Sequence, residues 1–256
     1  FAANLSMLFT ELPFLERFEA ASKSGFKYVE YLFPYEWDAQ ILAAQLQKHQ
    51  LKQVLFNLPP GNWEQGERGI ACLPDRCDEF KAGLDTAISY ANILGVKQLN
   101  CLAGLAPLGS DKTILKQTLI DNIAYAAQRL NKHGISLLIE PINSKIDMPN
   151  FFIDTLDKAL NIIHELNDNN IKVQFDIYHM QIMQGDILRT IQNNLESIQH
   201  IQFADCPGRH EPETGELNFN RIFDQLDQLN YSGWVSAEYH PNTSTLQSLD
   251  WFKKYL

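Results

Sequence analysis

Short apolar runs alternate with longer stretches of helical period from one end of the chain to the other. The runs predict strands at Ala3–Leu8, Tyr28–Leu32, Gln53–Asn57, Gln98–Leu102, Ser136–Glu140, Lys172–Asp176, His200–Ala204 and Trp234–Tyr239. They are apolar almost throughout, as expected of parallel strands covered on both faces. Between them, Glu79–Leu94 repeats apolar side chains at Phe80, Leu84, Ala87, Ile88, Ala91 and Leu94. Thr113–Leu130 does the same with Ile114, Leu115, Leu119, Ile123, Ala126, Ala127 and Leu130, so both predict amphipathic helices. Gly25, Gly95 and Gly134 each sit past a helical stretch and shortly before a strand, where a helix-ending glycine belongs. Asp111 and Asp154 are placed to cap helix N-termini.

Eight β-then-α units without a break in composition predict an α/β fold, a single (β/α)8 TIM barrel over residues 1–256. The main rival, a doubly wound open sheet, lacks support because no glycine-rich fingerprint follows the first strand. The longest irregular stretches, 58–75 and 205–218, both follow strand ends. Barrel enzymes keep their active sites at the C-terminal ends of the strands, and long loops there are usually functional.

A content of 45% hydrophobic and 20% charged residues supports a large core. The formal net charge of -10 disfavours nucleic acid, whose phosphates call for Lys and Arg, but it leaves room for a small anion held by local cations or a metal. Cys72, Cys77, Cys101 and Cys206 form no C-x-x-C pair and no zinc-finger spacing. They read as reduced thiols of a cytoplasmic protein, with a Cys72–Cys77 disulfide as the alternative. No apolar run reaches the roughly 20 residues of a membrane helix, and no basic-then-apolar leader opens the sequence. Association of identical copies is left open.

Four polar residues close or lie within four successive apolar runs: Glu140, Asp176, Gln202 and Glu238. One such residue alone reads best as a cap or a solvated loop residue. Four on consecutive strands would converge at one end of a barrel, and three carboxylates there would repel each other. A shared divalent cation relieves that, and oxygen ligands favour Mg²⁺ or Mn²⁺ over zinc. His179, three residues after Asp176, can turn back over the same pocket as a donor to a substrate oxygen, or lie on the surface. Arg68, set in Gly66-Glu67-Arg68-Gly69, and Arg209, set in Pro207-Gly208-Arg209-His210, can each pair with a carboxylate or form ordinary salt bridges. Trp63 reads as a lid residue or a loop anchor. Asn143 can hold a ligand or, the favoured reading, its own loop; Thr214-Gly215-Glu216 reads as turn chemistry, and His210 as solvent-exposed.

At these residues the chain resembles a hydroxypyruvate isomerase within the xylose-isomerase-like barrel superfamily. The resemblance rests on Ala3-Asn4-Leu5-Ser6-Met7-Leu8-Phe9, Asn57-Leu58-Pro59, Gly66-Glu67-Arg68-Gly69-Ile70-Ala71-Cys72, Ile139-Glu140-Pro141-Ile142-Asn143, Asp176-Ile177-Tyr178-His179-Met180 and Glu211-Pro212-x-Thr214-Gly215-Glu216. It implies one divalent metal held by Glu140, Asp176, Gln202 and Glu238. It implies substrate contacts at His179, Arg209, Arg68 and Asn57. It also implies aldose–ketose chemistry on a small hydroxy-oxo acid: hydroxypyruvate and tartronate semialdehyde exchanging through an enediolate. In that chemistry Glu140 and Glu238 are the acid/base pair. Gln202 stands where many sugar epimerases of the superfamily have His. Ser144-Lys145-Ile146-Asp147, and Gly208 and His210 beside Arg209, depart from the pattern. The alternatives are a 2-oxo-tetronate isomerase, a ketose 3-epimerase, a nuclease of damaged DNA and a non-catalytic binding barrel.

Overall fold

A computed structural model describes every residue from Phe1 to Leu256. Its strands close into one parallel barrel in sequence order. They are β1 (Ala2–Asn4), β2 (Tyr28–Glu30), β3 (Lys52–Asn57), β4 (Gln98–Cys101), β5 (Ser136–Ile139), β6 (Ile171–Asp176), β7 (Ile198–Phe203) and β8 (Trp234–Ala237). The seam is a parallel pairing of Ala2 with Ser236 and Ala3 with Ala237. The small side chains of β1 leave room for an aromatic cluster in which Phe1 meets Phe223 and Trp251 edge-on.

Helices wrap the outside because each strand is followed by a segment with one apolar face. Cys77–Leu94 buries Phe80, Leu84, Ala87, Ile88, Ala91 and Leu94. Lys112–Asn131 buries Leu115, Leu119, Ile123, Ala126, Ala127 and Leu130, while Ile114 remains exposed. Asp111 caps the second of these, accepting from Thr113 N at 2.8 Å. Asp154 is no cap. Thr155 fills that role for Leu156–Leu166, and Asp154 instead accepts from Ser144 Oγ and Lys158 Nζ. Gly95 ends its helix at φ 73°, a conformation that a side chain disfavours.

The first strand is shorter than the apolar run Ala3–Leu8 predicts. Asn4 Oδ1 accepts from Ser6 N at 2.9 Å, and Leu8 N donates back to Asn4 O. This side-chain-to-backbone bond turns the chain before the ladder can continue. The loop 58–75 is less irregular than expected, holding short 3₁₀ turns at Trp63–Gln65 and Pro74–Arg76. It lies close on the next strand's exit: a Cβ on Gly69 would stand 2.3 Å from Leu102 O.

The barrel interior departs most from expectation. The strands are not apolar throughout. Gln98 and Asn100, Gln174 and Asp176, and His200 and Gln202 alternate at period two, and all six are buried. Gln98 Nε2 meets His200 Nδ1 across the barrel at 2.9 Å, and His200 Nε2 lies 2.7 Å from Glu30 Oε2. Glu30 Oε1 accepts from Asn4 Nδ2 at 3.0 Å and from Gln202 Nε2 at 2.7 Å. Burial pushes the Glu30 carboxyl up, but nearby His200, with the bonds from Gln202 and Asn4, outweighs it and holds the group below the usual range. Glu30→Ala should therefore strand three polar partners in the lumen. The expected loss is about 3–5 kcal/mol of stability, read by urea unfolding. A loss under about 1 kcal/mol would show the network to be dispensable to the fold.

Candidate active site

The strand ends converge as the spacing requires. Glu140 and Glu238 are just past the ladders of β5 and β8, while Asp176 and Gln202 face each other in register on β6 and β7. All four are buried: Glu140 is 5% exposed, Glu238 3%, Asp176 0% and Gln202 1%, so their environment is protein rather than water.

Glu140 Oε2 accepts from Asn100 Nδ2 at 2.7 Å, and Asn100 in turn donates to Asn57 Oδ1 at 3.0 Å. Asn57 thus touches the site through Asn100. Asp176 also caps the helix Ile177–Met183, its Oδ1 accepting from Tyr178 N at 2.8 Å. That cap places His179 on the first helical turn, directly over the pocket. Glu238 Oε1 accepts from Asn4 Nδ2 at 2.9 Å. Gln202 presents its amide NH₂ to Glu30, and its Oε1 accepts from Gln174 Nε2 at 2.6 Å. A carbonyl oxygen has two lone pairs, so one remains for another partner.

Arg209 is the cation among these carboxylates. Its Nη2 lies 3.0 Å from Glu238 Oε2 and 3.4 Å from Asp176 Oδ2, its Nη1 is 3.8 Å from Asp147 Oδ1, and its Nε has no partner. The guanidinium also stacks 5.1 Å from the Tyr178 ring. Its backbone is held in the left-handed region, φ 57°, by Arg209 N donating to Asp205 O and His240 N donating to Arg209 O. Asp205, which the sequence did not single out, is wholly buried and accepts from the backbone N–H of Cys206, Gly215 and Leu217. It folds the 205–218 loop so that Arg209 points inward.

One guanidinium faces three buried carboxylates. Burial first, then Asp176, pushes Glu140 up to about 8. Burial also raises Asp176, and raises Glu238 well above its ordinary value, each against the opposing pull of Arg209. A divalent cation fits this donor set, since it would let all three ionise without leaving uncompensated buried charge. Glu140, Asp176 and His179 each offer a ligand atom within 4.8 Å of the others. Burial, and then Arg209, hold His179 well below its usual pKa, so its imidazole is neutral.

Other expectations are placed as follows. Arg68 stacks on Trp63 at 4.1 Å and donates through Nη1 to the carbonyls of Trp63 and Glu67, so it braces its own loop. It makes no contact with the carboxylates. Trp63 in turn packs on Phe33, which anchors the loop. Asn143 does hold its loop, and it also reaches His179 Nδ1 at 2.7 Å. His210 is half-buried rather than exposed, because its Nδ1 meets His240 O at 2.7 Å. Thr214 Oγ1 donates to Glu211 O within a turn. All four cysteines are free thiols. No helix is long and apolar enough to cross a membrane. Sequence reading missed Asn4, Glu30, Asn100 and His200. The period-two polar pairs were the available signal for the last two.

Comparison with known proteins is consistent with this architecture. The model of the family described as xylose isomerase-like TIM barrel matches residues 18–255. The hydroxypyruvate isomerase of Escherichia coli K12 is 46% identical over 255 residues, covering 100% of this chain and 98% of the relative. A 2-oxo-tetronate isomerase of Cupriavidus necator is 44% identical over 256 residues, with the same coverage. The crystal structure of a Brucella melitensis protein named AP endonuclease, family 2, superposes with a TM-score of 0.97 at 44% identity, covering 99% of this chain and 98% of that one. On these matches the chain belongs to the xylose isomerase-like TIM barrel family and is an isomerase of that family.

Proposed function

We propose that the protein interconverts hydroxypyruvate and tartronate semialdehyde, with one divalent ion, Mg²⁺ or Mn²⁺, held by Glu140, Asp176, Gln202 and Glu238. The observation that carries this reading is the buried cluster of three carboxylates around a single arginine at the C-terminal mouth of the barrel. When bound, the ion would draw electron density from the substrate's carbonyl and hydroxyl oxygens and so acidify the adjacent C–H.

The chain's own residues supply the rest. Glu140 and Glu238 are the acid/base pair that exchanges protons with the two adjacent carbons. One removes the C3 proton of hydroxypyruvate, leaving an enediolate; the hydroxyl proton passes from O3 to O2 and a proton returns to C2, which leaves the aldehyde at C3. His179 donates a hydrogen bond to a substrate oxygen. Arg209, with its unpartnered Nε–H, pairs with the substrate carboxylate.

A four-carbon 2-oxo acid is the second reading, favoured by the 2-oxo-tetronate isomerase relative at nearly the same identity. The deciding assay follows each acid with and without Mg²⁺, together with solvent deuterium incorporation at C2 or C3. Turnover of the four-carbon acid alone would replace the first reading with the second, and deuterium on C2 or C3 of either acid would rule out a non-catalytic binding barrel. Cleavage of abasic DNA, which the name of the Brucella protein also suggests, runs against the net charge of -10. Nicking of an abasic duplex by purified protein would reverse that judgement.

Arg209→Ala should raise KM for the acid about 10- to 100-fold, the equivalent of losing a hydrogen bond to a charged group. Arg209→Lys should recover little, because the planar fork is lost. An unchanged KM in both would remove Arg209 from substrate binding.

A further inference from the structure

Asn143 stands just past β5 with every hydrogen-bonding capacity used. Its Oδ1 accepts from Ile146 N and from Asp147 N, each at 3.0 Å. Backbone N–H groups only donate, so the oxygen must be the atom facing them and the amide cannot be flipped. The NH₂ therefore faces the other way. One of its hydrogens goes to Asp147 Oδ2, and Nδ2 also lies 2.7 Å from His179 Nδ1. An NH₂ has nothing to accept with, so Nδ1 of His179 must carry a lone pair. The single ring proton is then on Nε2, which lies 3.4 Å from Asp176 Oδ2. That separation is too long for a firm hydrogen bond, leaving the proton available to another acceptor.

We infer that Asn143 is a positioning residue that fixes the Nε2–H tautomer of His179, making His179 a donor to substrate and barring it from the metal. The second part rests on the proposed function, and it resolves an ambiguity of the site. Distance alone would admit His179 as a ligand beside Glu140 and Asp176. A protonated Nε2 has no lone pair to give, so the ion is left to oxygen donors. That set selects Mg²⁺ or Mn²⁺ against metals that prefer imidazole. The departure at Ser144–Asp147 gains a purpose here, since its backbone and Asp147 carboxylate together orient the Asn143 amide.

Long-range ¹H–¹⁵N correlation spectra of protein labelled in its seven histidine rings test this, with His179→Gln assigning the signal. The expected result is a neutral Nε2–H ring that stays so when Mg²⁺ is added. An Nδ1–H ring, or an Nε2 that becomes coordinated on adding Mg²⁺, would overturn the inference. The informative variant is Asn143→Asp combined with Asp147→Asn, compared with Asp147→Asn alone. The new carboxylate keeps an acceptor for the loop N–H groups, and its other oxygen can only accept, which demands a proton on Nδ1. The proton should move to Nδ1 in the double variant only. Turnover should fall about 10- to 100-fold below the Asp147→Asn control with the melting curve retained. A double variant that keeps the Nε2–H ring, or the control's turnover, would count against the assignment. Failure of Mg²⁺ to bind at all, with the tautomer as stated, would instead sink the proposed metal site.

Discussion

Glu140→Gln and Glu238→Gln should each lower kcat about 10²- to 10⁴-fold, the range expected when a general acid or base is removed. The physical reason is that carbon acids surrender protons only to a group placed for the purpose, and an amide has no proton affinity to offer. Neither change should cost the fold. Both carboxyls are buried among like charges, which raises their proton affinity. A neutral isostere relieves that repulsion, and thermal unfolding of metal-free protein should occur at equal or higher temperature than in the parent. A coupled spectrophotometric assay beside circular dichroism melting reads both at once. A metal-saturated Glu238→Gln protein working at the parent rate would remove Glu238 from the acid/base pair.

Chelation has the second large effect. Exhaustive EDTA treatment should abolish turnover, and Mg²⁺ or Mn²⁺ should restore it. Stability should respond to pH in a defined direction. Glu140 has its pKa raised from an ordinary 4.5 to about 8 in the folded protein. The folded state therefore keeps a proton that the unfolded chain releases above about pH 4.5. Its contribution is fully present below that pH and is lost as the pH rises through about 8. Chelated protein should melt at progressively lower temperature from about pH 5 to pH 8. Glu140→Gln should flatten this slope, and so should added Mg²⁺, which binds the ionised site. A chelated protein with full activity, or with a melting temperature rising across that window, would contradict the metal-site reading.

The barrel was legible because each β-then-α unit repeats the same apolar signature. Glu140, Asp176, Gln202 and Glu238 stood out because each is a polar residue at or near the end of such a run. The residues behind them were harder to see. Asn4 lies within a run read as a longer strand, and its role as a turn-former and as a bridge from Glu30 to Glu238 depends on the seam between the first and last strands. Glu30 and His200 meet across the lumen from strands far apart in sequence, a partnership that no local pattern encodes. Arg68 is the opposite case: its glycine-flanked setting suggests an anion site, and what it touches here is the Trp63 ring and two backbone carbonyls. Asp205 was hidden because its three backbone donors come from a loop that only the folded chain brings around it.

The polar lumen has an evolutionary corollary. Grease holding this molecule together lies in the annulus between strands and helices, whereas chemistry occupies the centre, so the two can be edited separately. A descendant could rewrite its inner alphabet for another sugar while leaving the outer scaffold intact.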